Sequence, residues 1–559
     1  MRTITCRVTL IIVLLVVSFL ADLAHVVVAA TASEDSTLFI NPGFPLGGLQ
    51  TDGKTVVWIE FRADPRNLVN GDIYAANLTD RKQFPVAVGS YDHKAVDISN
   101  GIVVWEQTQI LCPQQCVGSE IHAKNLATGQ EFKVGDGRYA AISNNWVVWW
   151  SGSDLMGRDI SSTASTSITL AKLKVGFTGH LAISGNRVVW GEQTGDPVHG
   201  TQYTLYTLKI GDNKPPVVIA EGGGYGLFGW NVQSDTIVYS DNFNVTVVSL
   251  NNSDGTVDKF SLNLKNAEYP STDGRYIFWT NTSGDSNHDI TGYDLKTNVY
   301  LKGLTNSSNN NNYYSNSAPG LRNGLVFWSY TQGSQSDSIH VAPIAAFLPT
   351  ARQPQFQSTS DRYYFQQTGH TLSFGFKYFW EHSGGLPVFG YPLTEEFQEI
   401  NADNAKNYTV QYFERQRYEY HPEFKGTPYE TELGRLGAAD ALQRNLYNRV
   451  STAFPAAPKS SDPNCTYFPQ TQHNVCGSFG AYWHTHGLEF GDAGVSFREA
   501  VALFGYPISE QFKDPDSGLM VQYFERARFE HQPQFVGTPN EVELGLLGQQ
   551  VLRLHGWPL

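Results

Sequence analysis

The stretch TVVWIEFRADPRNLVNGDIYAANL, Thr55 to Leu78, opens a pattern that recurs through more than half of the chain. Its core is an apolar triplet ending in an aromatic residue. The triplet stands at Val56–Trp58, Val103–Trp105, Val147–Trp149, Val188–Trp190, Ile237–Tyr239, Ile277–Trp279 and Val326–Trp328, at intervals of 40 to 49 residues. Most copies follow a turn signal (TDGK, SNG, SNN, SGN, TDGR, RNG) and precede a second strand, such as DIYAANL, EIHAKNL, SITLAKL or DITGYDL. A strand with one solvated face alternates apolar and polar residues. Three apolar residues in a row need cover on both faces. A 40–50-residue period of short strands supplies that cover when the sheets stack radially as a β-propeller. The reading is mainly β: a propeller over residues 36–345, seven-bladed, with six blades as the runner-up if the Ile237–Tyr239 unit is miscounted. The last unit lacks a fourth strand before the proline-containing connector at 346–362. Ser36–Pro42 can supply it and remove an exposed edge.

The DGK-VVW-DIYAANL cadence resembles TolB-like propellers over about 310 residues. That resemblance implies the architecture and leaves the activity open, since such propellers occur in binding proteins and in enzyme accessory domains.

Residues 1–32 stand apart. Arg2 and Arg7 lead an apolar run from Val8 to Leu20, and small residues follow at Ala29–Ala32. This is the pattern of a signal peptide cut near Ala30 or Ala32. An uncleaved anchor over Val8–Ala30 would place Asp22 and His25 in the bilayer, which is costly. No membrane span is expected after signal removal, and a secreted or cell-surface location follows. Formal charge is −14, with 16% charged residues. An acidic chain lacks the basic footprint of a nucleic-acid binder, so no nucleic-acid partner is expected. Of five cysteines, Cys6 leaves with the signal. Cys112 with Cys116 and Cys465 with Cys476 form two candidate disulfides, as an even count in an exported protein favours.

The end of the chain carries one sentence twice. QYFERQRYEYHPEFKGTPYETELGRLG (Gln411–Gly437) and QYFERARFEHQPQFVGTPNEVELGLLG (Gln522–Gly548) align without a gap, identical at 18 of 27 positions. Each belongs to a longer unit that starts at YFQQTGH or YFPQTQH and passes FGYPLTEEF or FGYPISEQF. We place the first unit at 363–445, a linker at 446–464 and the second unit at 465–555, where about a dozen residues are inserted before FGYP. Each reads as a small α+β module with a helix near Phe374–His382, an alternating strand VQYFERxRxE and a closing turn or helix ended by glycine. Aligning the units puts Arg362 and Ser373 opposite Cys465 and Cys476, so both cysteines are absent together from the first copy, as a bridged pair predicts.

FGYP-[LI]-[ST]-E followed by YFERxRFE resembles the LGFP repeat, a secreted module of cell-wall attachment. It also resembles exported bacterial proteins carrying CxYFxxTxHxVCGxF, FGYPxxE and VQYFERxRFE in this order, with Chloroflexota the expected source. The resemblance and the duplication imply binding to a cell-wall or extracellular polysaccharide, or to a surface protein, by a monomer. Duplicated sites on a short linker would add avidity.

Candidate binding residues are Arg415, Arg417, Arg526 and Arg528, whose planar guanidinium groups suit anion recognition, and Tyr412 and Tyr523, whose rings suit stacking on sugars. The competing reading makes the charged group an ion-pair ladder and the tyrosines core. His484 and His486 are a weak metal pair, and His370 and His473 fit internal hydrogen bonding as well as catalysis. NSDGT at Asn252 reads as a hairpin turn. Sequons run from Asn77 to Asn464. No GxSxG, HExxH or phosphate-binding glycine loop is present, so no catalytic residue, metal ligand or cofactor is assigned. The preferred function is a non-enzymatic surface or envelope protein. The alternative is a secreted carbohydrate-active or peptidase-like enzyme with its site at the propeller channel.

Overall fold

The computed structural model describes residues 38–40, 42, 44–63, 69–109, 118–162, 164–174, 177–196, 200–212, 214–250, 257–283, 287–301, 303, 314–316, 319–332, 338–491 and 493–559. The signal-peptide reading, Cys112 with Cys116, and the turn at Asn252 lie outside these residues.

Each apolar triplet forms the second strand of an antiparallel sheet. Five separate four-stranded sheets follow one another from Leu46 to Ser261, each in chain order, so every connection is a hairpin. A nine-stranded sheet holds two more such runs. One comprises Ala267–Thr272, Tyr276–Ser283, Asn287–Asp294 and Val299–Leu301. The other comprises Gly320–Arg322, Leu325–Gln332 and Ser338–Pro343, completed by Leu38–Ile40 from the start of the chain. The short strand Tyr314–Asn316 joins them. The closing strand is therefore the segment the sequence offered for it. In the third sheet the strand beside the triplet is Asp154–Asp159, and SITLAKL supplies the outer strand, Ile168–Lys172. DLMGRD carries two strongly apolar residues against three in SITLAKL, so its pattern is the weaker.

Two-sided cover is visible in the side chains. All seven triplets are buried, with no member more than 6% exposed. Alternate residues enter different cores. Val57 packs with Val103 and Trp105, and Val104 with Val147 and Trp149. Val148 packs with Val188 and Trp190, and Val189 with Ile237 and Tyr239. Val238 packs with Ile277 and Trp279, and Phe278 with Val326 and Trp328. Val56 and Trp58 pack with Ile339, Phe39 and Ile40, which returns the series to its start. This radial stacking defines a β-propeller. The first strand of each sheet touches the first strand of the next, forming the inner wall. Six of these inner strands carry a register shift at one level, among them Lys94/Asp97, Arg138/Ala141 and Glu268/Ser271. Such bulges bend a strand and raise its twist. Ala95, Tyr139 and Tyr269 occupy left-handed backbone there.

Both C-terminal copies repeat one α+β plan. A hairpin (Arg362–Phe365 with His370–Ser373; Cys465–Phe468 with His473–Cys476) leads into two short helices, a four-stranded sheet and a last helix, Leu436–Gln443 or Leu547–His555. Cys465 and Cys476 are bridged across the second hairpin, and Arg362 faces Ser373 at the same place in the first.

The copies are not beads on a string. Phe413 and Tyr418 of the first copy share one core with Phe504 and Phe529 of the second. The helix Leu436–Gln443 packs on the second copy's sheet, where Ala441 and Leu446 meet Phe512, Val521 and Tyr523. The helix Leu547–His555 packs on the first copy's sheet and on the propeller, with Leu547, Val551, Leu552 and Trp557 joining Tyr408, Tyr412, Tyr276 and Trp328. A few residues of the stretches read as linkers are packed as well. Phe347 is fully buried, its ring centroid 4.7 Å from that of Phe278, and Leu446 and Ala453 are buried. Trp557 donates to the buried Asp294 (2.9 Å), which Arg275 also holds (2.7 Å). Burial opposes ionisation of Asp294, but Arg275 and Trp557 outweigh it and hold its carboxyl below the usual range.

Ile40, 5% exposed, tests the closure. Ile40→Ala is expected to destabilise the propeller by about 2–5 kcal/mol, the usual cost of truncating a buried isoleucine. Denaturant unfolding followed by tryptophan fluorescence measures it; an unchanged midpoint would show that the first strand closes nothing.

Candidate functional site

The propeller's inner wall was the place for an enzyme's paired carboxylates. Its inner strands hold three, Asp92, Asp97 and Glu268. Asp92 accepts the Gly71 amide (3.2 Å) and pairs with Lys94 (2.8 Å). Asp97 accepts the amides of Ile98 and Ile142, both at 2.8 Å. Burial pushes the Asp97 carboxyl up to about 6, against those two bonds. Its equivalents, each opposite the second residue of a triplet, are Gln50, Ala141, Ala182, Asn231, Ser271 and Gly320. The turn signals also tie sheet to sheet: Asp52 accepts Gly101 N (2.8 Å), Ser99 accepts Asn144 N (2.9 Å) and Ser143 accepts Gly185 N (2.9 Å). These side chains act as fasteners.

The duplicated sentence resolves atom by atom. Gln411 donates to the carbonyls of Thr371 and Thr394, and Gln522 to those of Asn474 and Ser509. Residues 413–416 are a tight turn rather than part of one alternating strand, since Phe413 N bonds Gln416 O (2.7 Å) and Tyr412 faces Arg417 across a hairpin. Tyr412 and Arg417 therefore lie on one face, not on the opposite faces that alternation gives. Glu414 and Glu525 accept the amides of Tyr391 and Tyr506 in FGYP (3.1 and 3.2 Å). The last glutamate of FGYPxxE binds the first hairpin: Glu395 meets His370 Nδ1, and Glu510 meets His473 Nδ1, each at 3.2 Å.

The final glycines of the sentence begin a helix rather than end one. Ala438 N donates to Glu525 O (3.0 Å), and Gln549 N donates to Glu414 O (3.1 Å). A methyl group on Gly437 would overlap the Phe524 carbonyl, and one on Gly548 would overlap the Phe413 carbonyl. Each copy thus seats its last helix on the other's turn. The acids are exchanged too. Glu399 accepts from Arg417 (2.8 Å) and Tyr412 (3.2 Å) within the first copy. In the second copy, Asp440 of the first takes that place, accepting from Tyr523 (2.7 Å) and Arg528 (3.2 Å). Asp514, at the position of Glu399, pairs with Arg444 of the first copy (2.9 Å).

Tyr412 and Tyr523 are 1% and 0% exposed, so neither ring has a free face for stacking. Arg417 and Arg528 are held by Glu419 and Glu530 as well as by the acids above. Arg415 and Arg526 remain partly exposed. His484 and His486 diverge, one to Thr466 and the other to the Tyr482 carbonyl. Among the described residues no group of three His, Cys, Asp or Glu is placed to hold a metal ion.

Arg526 leads to a cleft between the copies, about 300 Å³ in volume. The first copy contributes Tyr429, Glu432 and Leu433; the second contributes Leu488, Phe490, Phe497, Arg498, Tyr506 and Arg526. Arg526 Nε donates to Leu433 O (2.9 Å). Arg498 lies against the rings of Tyr429 and Phe490, 5.3 and 4.9 Å from their centroids, and donates to Tyr429 Oη (2.8 Å). The inserted loop supplies Leu488 and Phe490 and ends at Ser496, whose capping box with Glu499 starts the helix Phe497–Phe504. The first copy has no such insertion, and Asn540 stands where Tyr429 does. Of these lining residues the sequence reading had singled out Arg526 alone. The insertion and the Tyr429/Asn540 difference were the available signals for the rest.

No protein-family model and no curated protein matches the chain. Solved structures resemble it distantly. A prolyl endopeptidase is 11% identical with a TM-score of 0.42, covering 70% of this chain and 55% of its own length. This chain thus spans little more than half of that structure. The β-propeller domain of the Trilobed protease from Pyrococcus furiosus is 10% identical with a TM-score of 0.36, covering 54% and 95%. TolB from Acinetobacter baumannii is 11% identical with a TM-score of 0.29, covering 51% and 79%. Likenesses at this level carry no argument about activity.

Gly548→Ala is expected to destabilise by about 1–3 kcal/mol through overpacking and to open the connector between the copies to limited proteolysis. Gly375→Ala is the control. Its site is open, and alanine in a helix normally gains about 1 kcal/mol over glycine. Equal effects would overturn the reciprocal seating.

A second test concerns pH. Burial opposes ionisation of Glu419, but His421 and Arg417 outweigh it and hold its carboxyl at about 2. Burial lowers the His421 pKa less than its bonds to Glu419 and Glu423 and the nearby Glu432 raise it. The Glu419 contribution is present above the ordinary 4.5 and is lost as pH falls towards 2; the His421 contribution is present below 6.5 and is lost as pH rises beyond it. The melting temperature should fall above pH 6.5 in the wild type, and that fall should shrink in His421→Gln. An identical profile would remove His421 from the account.

Proposed function

We propose that the chain is an exported, non-enzymatic surface or envelope protein. Its propeller, with seven blades, serves as a platform for a protein or glycan. Its LGFP-like C-terminal pair holds a cell-wall or extracellular polymer as one fused unit. The observation that carries this reading is the cleft between the copies, which gathers aromatic rings and arginines from both. Pockets with apolar walls and a few convergent polar groups are the usual form of a small-ligand site. The bridged Cys465–Cys476 pair suits an oxidising location, and no described helix is long and apolar enough to cross a membrane. Against the enzymatic alternative stand the engaged carboxylates Asp92 and Asp97, since glycoside hydrolysis needs two carboxyl groups flanking the scissile bond. Fusion also changes the avidity argument. Two tethered sites gain from effective concentration, whereas a joint cleft gains from residues that neither copy holds alone.

The test is retention of the full chain on isolated cell envelopes and extracellular polymer. Retention is expected for the wild type and is expected to weaken in Gly548→Ala in step with the fraction of chains whose connector has opened to proteolysis. Absence of retention by the wild type, or turnover of the retained polymer, would overturn the reading.

A further inference from the structure

We infer that the cleft between the two copies recognises a sugar bearing one carboxylate, as in a polyuronate chain. This rests on the polymer-binding reading and narrows it to a ligand class. Arg498 has no carboxylate within ion-pair reach among the described residues; its Nε donates to a tyrosine hydroxyl and its guanidinium carbon lies 5.3 and 4.9 Å from two ring centroids. Arg526 is fixed through Nε to the Leu433 carbonyl, and its nearest carboxylate oxygen, on Glu525, is 4.0 Å away. An acidic chain of net charge −14 thus holds two weakly neutralised guanidinium groups in one concavity. Guanidinium forks match carboxylate geometry.

Glu432 shares the lining. Within the lining one carboxylate stands beside two guanidinium groups, which suits a monoanionic group; a phosphodiester is also a monoanion, so the hydroxyl-accepting Glu432, not the charge count, is what favours a uronate over a phosphate polymer. A carboxylate in a binding site also accepts hydroxyl donors, and a uronic acid offers hydroxyls beside its acid group. Tyr429 and Phe497, 37% and 51% exposed, offer ring faces for the apolar side of a pyranose. The 300 Å³ volume is at the small end for ligand pockets and fits one or two sugar rings. Because the chain as a whole repels polyanions, retention of a uronate must come from a defined site rather than from diffuse attraction.

The sister position supplies contrast. The first copy lacks the inserted loop, and the FGYP alignment puts Ser383 at the position of Arg498. The duplication therefore yields one such site per chain.

Binding of the full chain to oligouronates is measured by calorimetry, beside a neutral glucan of equal length and a glycerol-phosphate polymer. The expected result is one site per chain with preference for the uronate, weakened at least tenfold by Arg498→Gln and by Arg526→Gln. Arg138→Gln, on the propeller, removes the same charge elsewhere and should leave affinity unchanged. Arg526 also holds a backbone carbonyl, so melting temperatures are recorded. The exposed Arg498 carries the test if Arg526→Gln does not fold. Equal affinity for the neutral glucan, preference for the phosphate polymer, no loss in Arg498→Gln, or equal loss in Arg138→Gln would overturn the inference. Envelope retention without uronate binding would sink this ligand class and leave the polymer-binding reading standing.

Discussion

A strand that is apolar at three successive positions must be covered on both faces, and the propeller follows from meeting that demand at each triplet. Val57 faces one neighbouring sheet while Val56 and Trp58 face the other. No sheet can therefore close its own core, and each depends on both neighbours. Burying one such side chain contributes roughly 1.5–3 kcal/mol. The ring must also begin and end in contact, because an unpaired last sheet would expose Ile339 and a strand edge. Leu38–Ile40 meets both needs with three residues.

The same physics made the propeller legible from sequence. The triplet is short and obligatory, and the turn before it is rich in Asp, Asn, Ser and Gly. The strands whose pattern is looser were harder to place, as the exchange of DLMGRD for SITLAKL in the third sheet shows. The modules were legible in class for a different reason: two copies gave an internal alignment, which located the bridged cysteines and the insertion. Faces within VQYFERxRxE were misplaced because alternation assumes a continuous strand. No apolar periodicity marks the bend at 413–416, which is held by the Phe413–Gln416 backbone bond.

The contacts between copies were invisible for a deeper reason. Gly437 and Gly548 look like helix terminators, since glycine commonly ends a helix. Their role is set by a carbonyl oxygen about a hundred residues away, and sequence order carries no trace of that approach. Asp440 is the same case. It sits in an ordinary helical stretch, yet it completes the ion network of the other copy, and breaking a buried pair by removing one partner usually costs about 3–5 kcal/mol. The twice-written sentence is thus first a device for mutual closure. Its glycines and the Tyr523–Arg528–Asp440 network hold the two half-cores together, and its glutamines close each copy on itself.

That use explains where binding capacity can remain. Residues repeated in both copies are mostly committed to the fold, as burial of Tyr412 and Tyr523 shows. Some positions that differ between the copies share this duty, as Asp440 and Arg444 do, and others are free of it. Tyr429 against Asn540, Arg498 against Ser383, and the loop holding Phe490 are such differences, and all three border the same cleft. A pseudo-symmetric pair offers two equivalent grooves; changing a few residues on one side makes one groove distinctive while the repeated half of each copy keeps the scaffold intact. On the proposed reading, specificity in such a pair resides in its asymmetry, and the repeated arginine at Arg526 would gain a role at the cleft because Arg498 stands beside it on only one side.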